Sequence, residues 1–373
     1  MSVETYDAVI AGGGIVGAAC ADELARRKMR VAVVERDVIG SGATAAGMGH
    51  IVVMDDSDAQ FALTRYSQQL WLALAPELPA DVEFEQCGTI WVAADEEEMA
   101  EAERKQVCYR ARGIAASILG AEALEEAEPN LRKGLAGGLL VPEDSVLYPP
   151  CAARFLIKRA EASGAKVYLG RSVSQMGNAR ARLDDGTELS APVLVNAAGA
   201  WSPELTPGMG VSKRKGHLVI TDRYSGFVRH QLVELGYLKS AHSLTADSVA
   251  FNAQPRRTGQ ILIGSSRQYG VESARIDTQT LSRMLQRAQE YLPGLAGMSA
   301  IRSWTGFRPA TPDNVPLIGP WPDDQKLYLA TGHEGLGITT SLGTARLLAD
   351  GITGKETAIA SEPYLPARER VHA

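Results

Sequence analysis

Three glycines and one acid near the start of the chain have the types and spacing to hold a phosphorylated ligand. Gly12, Gly14 and Gly17 form G-x-G-x-x-G inside YDAVIAGGGIVGAACADELARRKMRVAVVE, residues 6–35. Residues 6–11 are an apolar run that predicts a strand, 15–27 have helical periodicity, and 31–34 predict a second buried strand. Glu35 closes that strand, near the roughly 20-residue spacing expected between the glycines and an acid. Each part has a task. Gly12 makes the tight turn, Gly14 lets backbone approach a pyrophosphate, and Gly17 lets helix and strand pack closely. The helix start offers N–H groups and a positive dipole end to phosphates. Glu35 can accept hydrogen bonds from an adenosine ribose. In this strand–turn–helix–strand setting the motif points to dinucleotide binding; without the setting it would indicate only a glycine turn.

Further elements must carry the rest of such a site. Residues 39–51, IGSGATAAGMGHI, are too rich in Gly and Ala for an ordinary surface loop and predict backbone passing close to a flat cofactor, with a flexible connector as the alternative. Helices are expected at 59–75, 95–120 (acidic, then basic), 150–163, 278–291 and 342–352, the third opened by proline. Strands are expected at 82–93, 166–173, 193–198, 217–221, 248–253, 260–264 and 326–330, with strands and turns over 134–148 and a hairpin over 181–189. The 193–198 strand runs into NAAGAWS, residues 196–202, which puts small residues at a strand's carboxyl end, where open α/β sheets bind ligands. Residues 213–300 read as a second domain on an antiparallel sheet. From Trp304 the sequence turns glycine- and turn-rich, and the last dozen residues, with Arg368, Glu369 and Arg370, read as a mobile tail. Trp71, Trp91 and Trp304 read as core packing.

Composition narrows the class. The 373 residues are 45% hydrophobic and 22% charged, values of a soluble globular protein, and the length suggests two domains or, equally, one large α/β domain with an inserted second lobe. The net charge of −6, from 38 basic and 44 acidic residues, argues against a nucleic-acid partner. Cys20, Cys87, Cys108 and Cys151 form no C-x-x-C and no zinc or iron–sulfur spacing. No metal site is expected. The chain shows no charged and apolar leader, and no apolar run reaches the ~18 residues of a membrane span. A cytoplasmic protein with reduced thiols is the expectation.

Two further segments, WTGFRPATPDNVPLIG at 304–319 and GHEGLGITTSLGTARLLAD from Gly332, join the amino-terminal fingerprint and VNAAGAWS at 195–202. Together these four motifs resemble the D-amino acid oxidase family of flavoproteins over nearly the whole chain, and most strongly its glycine oxidase and D-hydroxyproline dehydrogenase branch. The stretch AAGMGHIVVMDD at 45–56 tilts the resemblance toward the latter. The implied fold is α/β: a discontinuous, Rossmann-like FAD-binding domain of the glutathione-reductase type at 1–80, 148–215 and 301–373. A second, antiparallel-sheet substrate-binding domain is implied at 81–147 and 216–300.

The resemblance also implies a site. FAD, held without a covalent bond, would meet Gly12, Gly14 and Gly17 at its pyrophosphate, and Glu35 and Arg36 at its adenosine end. Ser41, Ala43 and Thr44 would lie along the ribityl and phosphate side, and Met48, Gly49 and His50 near the isoalloxazine ring. Val173 would touch adenine through its backbone, with Ala198, Gly199 and Trp201 lining the same cavity. Gly332, Gly335, Leu336, Gly337, Ile338 and Thr339 would close over the pyrimidine end. Arg308, in G-x-R-P, would clamp the substrate carboxylate with its planar fork; pairing with Asp313 in a tight proline turn is the alternative. His50 and His333 are candidates for a direct active-site role, and loop packing is the other possibility. The cysteinyl flavin link of the sarcosine oxidase branch is excluded, since GFRPATPD holds no cysteine; a histidyl link through His50 is the remaining covalent possibility. His217, in KRKGH, and Phe251 or Asn252 are candidates for the wall of the substrate domain.

The implied reaction is oxidation of the C–N bond of a small amino or imino acid, with D-proline or 4-hydroxy-D-proline as leading substrate and glycine or sarcosine behind it. Hydride would pass from the α-carbon to flavin N5, and the imine would be hydrolysed. Residues 260–264 offer only apolar side chains where sarcosine-type relatives carry a lysine above the flavin, which favours a dehydrogenase over an oxidase. Partner electron-transfer subunits or a homo-oligomer are then expected. A non-catalytic flavin subunit is a competing reading, opposed by the retained Arg308. A dehydrogenase using NAD alone is another, opposed by the segments at 196–202 and 332–339.

Overall fold

Short, wholly buried aliphatic strands organise the amino-terminal half of the site. Ala8–Ala11 and Val31–Glu35 are buried at every residue, as expected for parallel strands covered on both faces. The computed structural model describes residues 4–236 and 247–371. The chain divides into two compact units: Met1–Val82, Tyr148–Lys213 and Phe307–Ala373 form one, and Glu83–Leu147 and Arg214–Gly306 the other.

In the first unit a six-stranded sheet runs in the order Leu317–Trp321, Asp324–Thr331, Val193–Asn196, Ala8–Ala11, Val31–Glu35, Lys166–Leu169. Neighbours are parallel except at the Leu317–Trp321 edge, and the register sets Ala8 between Val31 and Val193. Helices Ile15–Arg26, Pro149–Ala162 and Gly337–Thr353 pack together. Arg27 ties the first of them to the last through Glu23 at 2.8 Å and Asp350 at 2.6 Å. A four-stranded sheet (Glu4–Thr5, Glu188–Ser190, Arg180–Leu183, Val173–Gly177) shares a core with the larger one, where Leu183 and Leu189 meet Val9, Val34, Leu194 and Leu329. Parallel strands end on one edge. Gly12, Glu35, Ala197 and Gly332 therefore gather at the carboxyl edge of the sheet.

The second unit holds most of an eight-stranded sheet, in which Gln231–Glu234 pairs parallel with Thr89–Ala93 and the pairings from Ser212–Thr221 through Ile261–Tyr269 and Ser248–Pro255 to Gln231–Glu234, and from Thr89–Ala93 through Gly137–Val141 to Ser117–Gly120, are antiparallel. One face carries an apolar core in which Phe251 stacks on Tyr291 of helix Thr278–Tyr291, ring centroids 4.5 Å apart.

Four local expectations change. The 95–120 helix stops at Ala111, because Gly113 takes φ +74°, and Ser117–Gly120 is a strand. The 82–93 strand begins only at Thr89, after Glu83 and Gly88 adopt positive φ. The stretch from Trp304 is no run of turns: Ala300–Ala310 is one strand at the sheet's edge, where a proline's missing N–H is tolerated. The tail is fastened as far as Arg368, whose guanidinium donates to Asp313 at 2.9 Å and to the Pro316 carbonyl at 3.0 Å, while the buried Tyr364 donates to the Ala59 carbonyl. Residues 372–373 of that tail lie outside the described residues. Among the described residues no helix is long and apolar enough to cross a membrane.

Candidate functional site

The glycine turn is dictated by crowding. Gly12 sits at φ +107°, and a Cβ there would fall 2.5 Å from the Ala197 carbonyl oxygen. A Cβ at Gly17 would overlap the Gly12 carbonyl oxygen. The turn and its helix are thereby pressed onto the neighbouring strand. The helix opens at Gly14 without a side-chain cap or an acid in its first turn, and the Ile15 N–H donates to Thr44 Oγ1 at 2.9 Å. Helix Gly337–Thr353 opens the same way at Leu336. Helices Asp58–Leu74, Glu96–Ala111 and Thr278–Tyr291 are instead capped by Ser57, Asp95 and Asp277. Helix Pro149–Ala162 likewise has no side-chain cap, and an uncapped start leaves backbone N–H groups and a positive dipole end at the helix terminus.

Glu35 is 6% exposed, and its carboxylate accepts from Gly13 N at 2.7 Å, Asp37 N at 2.8 Å and Ser41 Oγ at 3.3 Å. Its carbonyl accepts from Arg171 N, which brings the segment leading to Val173 alongside. Arg36 turns to Trp201, with its guanidinium 4.3 Å from the ring, and Phe307 meets that ring edge-on at 6.3 Å. Gly42 lies against Trp201, next to Ala43. The 195–202 segment is braced by Asn196, whose amide donates to Ser202 O and Thr206 Oγ1 and whose Oδ1 accepts from Ala198 N. The Gly199 carbonyl accepts from Thr331 Oγ1.

The carboxy-terminal loop is set by one backbone bridge, Ala310 to His333, with Glu334 N donating to Pro309 O at 2.7 Å. This places Gly335 so that a Cβ there would stand 3.8 Å from Arg308 Nε. His333 is 4% exposed with Nε2 3.0 Å from Thr344 Oγ1, and burial pushes its pKa down to about 3, so the ring is neutral. Gly337 packs on the His333 side chain. Thr339 Oγ1 donates to the His50 carbonyl at 2.8 Å and accepts from Val52 N, which couples the segment holding Met48, Gly49 and His50 to the helix start at Gly337 and Ile338. Arg308 does not pair with Asp313. That carboxylate belongs to Arg368: burial alone would raise its pKa, and the guanidinium holds it below the ordinary value.

The structure thus brings most sequence-predicted residues to one edge of one sheet. Of the second-unit candidates, Phe251 is not a wall residue but part of the apolar core, since its strand alternates and its odd positions face helix Thr278–Tyr291. His217 is fully buried, with Nδ1 2.9 Å from Ser266 Oγ and Nε2 accepting from Asp277 N. Asn252 lies on the opposite face of its strand from Phe251. Sequence reasoning missed Ser67 and the polar role of Trp71, which reach the first turn of helix Gly337–Thr353; their i, i+4 spacing on one helix face was the available signal. None of the four cysteines is in a disulfide, and among the described residues no cluster of His, Cys, Asp and Glu could hold a metal ion.

Known proteins resemble this chain in sequence and fold. The family model described as DAO, FAD dependent oxidoreductase, matches residues 7–351. Glycine oxidase of Geobacillus kaustophilus is 30% identical over 96% of this chain and 96% of that protein. Hydrogen cyanide synthase subunit HcnC of Pseudomonas protegens is 28% identical over 98% of this chain and 97% of its own. The crystal structure of glycine oxidase from Geobacillus kaustophilus superposes with a TM-score of 0.88 at 28% identity, covering 98% of this chain and 99% of that one. A family match over nearly the full length, on a Rossmann-like α/β fold with its glycine turn, leads to one conclusion: this chain belongs to the DAO family of FAD-dependent oxidoreductases.

Proposed function

We propose that this enzyme oxidises the C–N bond of a small amino or imino acid, with Arg308 binding the substrate carboxylate. The observation that carries the reading is the placement of Arg308 against Gly335, on a strand bridged to the glycine loop through His333. A guanidinium beside a residue that lacks a side chain keeps room for a planar, bidentate carboxylate.

The residues present fit FAD. A Cβ would fill the cradle at Gly12 and Gly17, the first helix is open at its N-terminus, and a buried carboxylate stands at the second strand's end. In this reading Gly12, Gly14 and Gly17 hold the pyrophosphate and Glu35 and Arg36 the adenosine end, with Val173, Ala198, Gly199 and Trp201 beside it. Ser41, Ala43 and Thr44 follow the chain of the cofactor, and Met48, Gly49, His50 and Gly332 to Thr339 surround the flavin without a covalent bond. FAD, when bound, supplies the acceptor for the hydride of the substrate's α-carbon. The protein's part is placement. Arg308 fixes one end of the substrate, and the neutral His333 holds the loop in register without adding a charge beside the clamp.

Glycine or an N-alkyl glycine such as sarcosine is the favoured substrate, supported by the relatives named glycine oxidase. A cyclic D-imino acid, D-proline or 4-hydroxy-D-proline, is the second reading, favoured by AAGMGHIVVMDD at 45–56. Under that second reading a partner takes the electrons in place of oxygen, for which a relative named as a subunit gives support. The test is anaerobic bleaching of the flavin absorbance by glycine, sarcosine, D-alanine, D-proline, L-proline and 4-hydroxy-D-proline, followed by admission of air. Bleaching by glycine or sarcosine with fast recovery in air is the expected result. Bleaching only by a D-imino acid with slow recovery would move the assignment to the second reading. A flavin bleached by none of them would overturn the proposal.

A further inference from the structure

Helix Gly337–Thr353 takes its first turn from another helix. Ser67, on helix Asp58–Leu74, is fully buried, and its Oγ donates to Thr339 O at 2.6 Å and accepts from Gly343 N at 3.0 Å. Thr339 and Gly343 are an i, i+4 pair whose carbonyl and amide ordinarily bond each other; here one foreign hydroxyl serves both. Four residues on, Trp71 Nε1 donates to Ile338 O and Thr339 O, each at 3.2 Å. The approach depends on glycine at 343, where a Cβ would stand 3.0 Å from Leu63 Cδ1 and 3.1 Å from Ser67 Cβ. A hydroxyl from a neighbouring helix that bonds both groups of such a pair helps fix how the turn they belong to is oriented. That turn opens at Leu336 without a side-chain cap, and its Thr339 also holds the His50 carbonyl.

We propose that Ser67 and Trp71 are positioning residues for the flavin. By holding the carbonyls of Ile338 and Thr339 from behind, they set where the N–H groups of the first turn point. They thereby set both the affinity for FAD and its potential. The inference rests on the reading above that this turn meets the flavin. Donors aimed at the cofactor favour its more negative, reduced form, so a turn released from Ser67 lowers the potential as well as the affinity.

The experiment compares Ser67→Ala, Trp71→Phe and Leu336→Glu in the full chain. Each apoprotein is titrated with FAD, its visible spectrum and midpoint potential are measured, and apoprotein unfolding is followed thermally. Ser67→Ala and Trp71→Phe should each weaken FAD binding about tenfold, on the scale of one well-placed hydrogen bond. Both should also lower the potential and shift the flavin band, with apoprotein unfolding near wild type. If Ser67→Ala fails to fold, Trp71→Phe carries the test. An acid at position 336 stabilises a helix start, so weaker FAD binding by Leu336→Glu reports on the ligand rather than on the helix. Weak binding by Leu336→Glu with unchanged affinity, spectrum and potential in the other two would overturn the proposal and leave the flavin reading standing. Unchanged FAD binding in all three would overturn both.

Discussion

The backbone of His333 bridges that of Ala310, and this single pairing brings Gly335 to Arg308. The strand with the guanidinium and the loop expected over the flavin are thus one mechanical piece. Arg308→Lys keeps the charge and loses the fork. The loss of a charge-assisted contact of about 1.5–3 kcal/mol lowers kcat/KM roughly 10- to 150-fold. Steady-state kinetics with the best substrate of the panel would show this, together with weaker perturbation of the flavin spectrum by a carboxylate inhibitor. A kcat/KM within twofold of wild type would show that Arg308 is not the clamp.

Gly17 has no room for a methyl group, because the Gly12 carbonyl oxygen occupies the position. Gly17→Ala must move the helix off the strand, at about 1–3 kcal/mol of overpacking strain. The expected product is purified with little or no FAD and unfolds at lower temperature than wild-type apoprotein. Full FAD occupancy with unchanged melting would contradict the close approach.

Two groups make stability fall in acid by different routes. Burial depresses His333 to about 3, so below its ordinary pKa of about 6.5 the unfolded chain binds a proton that the folded chain refuses. Stability is therefore full above that value and is lost progressively as pH falls toward 3. Glu4 is lowered to about 2 by Lys166, Tyr168 and Tyr6, which all donate to its carboxylate. Its contribution is present above 4.5 and is lost as pH falls toward 2. Denaturant unfolding between pH 7 and 5 should show a slope that His333→Asn removes and Glu4→Gln leaves in place.

Arg368 closes the turn at 311–316 from the far end of the chain. Arg368→Ala leaves the half-buried Asp313 without its guanidinium, and solvent screening at the half-exposed carboxylate holds the worth of such a pair to about 0.5–1 kcal/mol. Differential scanning calorimetry should record a lower melting temperature, while kcat/KM falls less than threefold because Arg308 has its own support. Unchanged melting would mean that the contact is screened out by solvent.

Much of this protein was legible along the chain. The glycine spacing, the buried runs at Ala8–Ala11 and Val31–Glu35 and the acid at Glu35 are local signals, since a strand, a tight turn and a helix start are each decided within a few residues. Helix Thr278–Tyr291 was legible for the same reason, with Asp277 as its cap. Other features belong only to the tertiary structure. Asp313 finds Arg368 and not Arg308, and Ser67 bonds the backbone of a helix 272 residues away. The glycine and proline of 306–309 read as turns, yet they lie in a strand whose place at the edge of the sheet tolerates them. Propensity and periodicity act over a few neighbours and mark elements and motifs. Which donor meets which carbonyl is set by how those elements pack, and packing brings together residues that leave no local trace of one another.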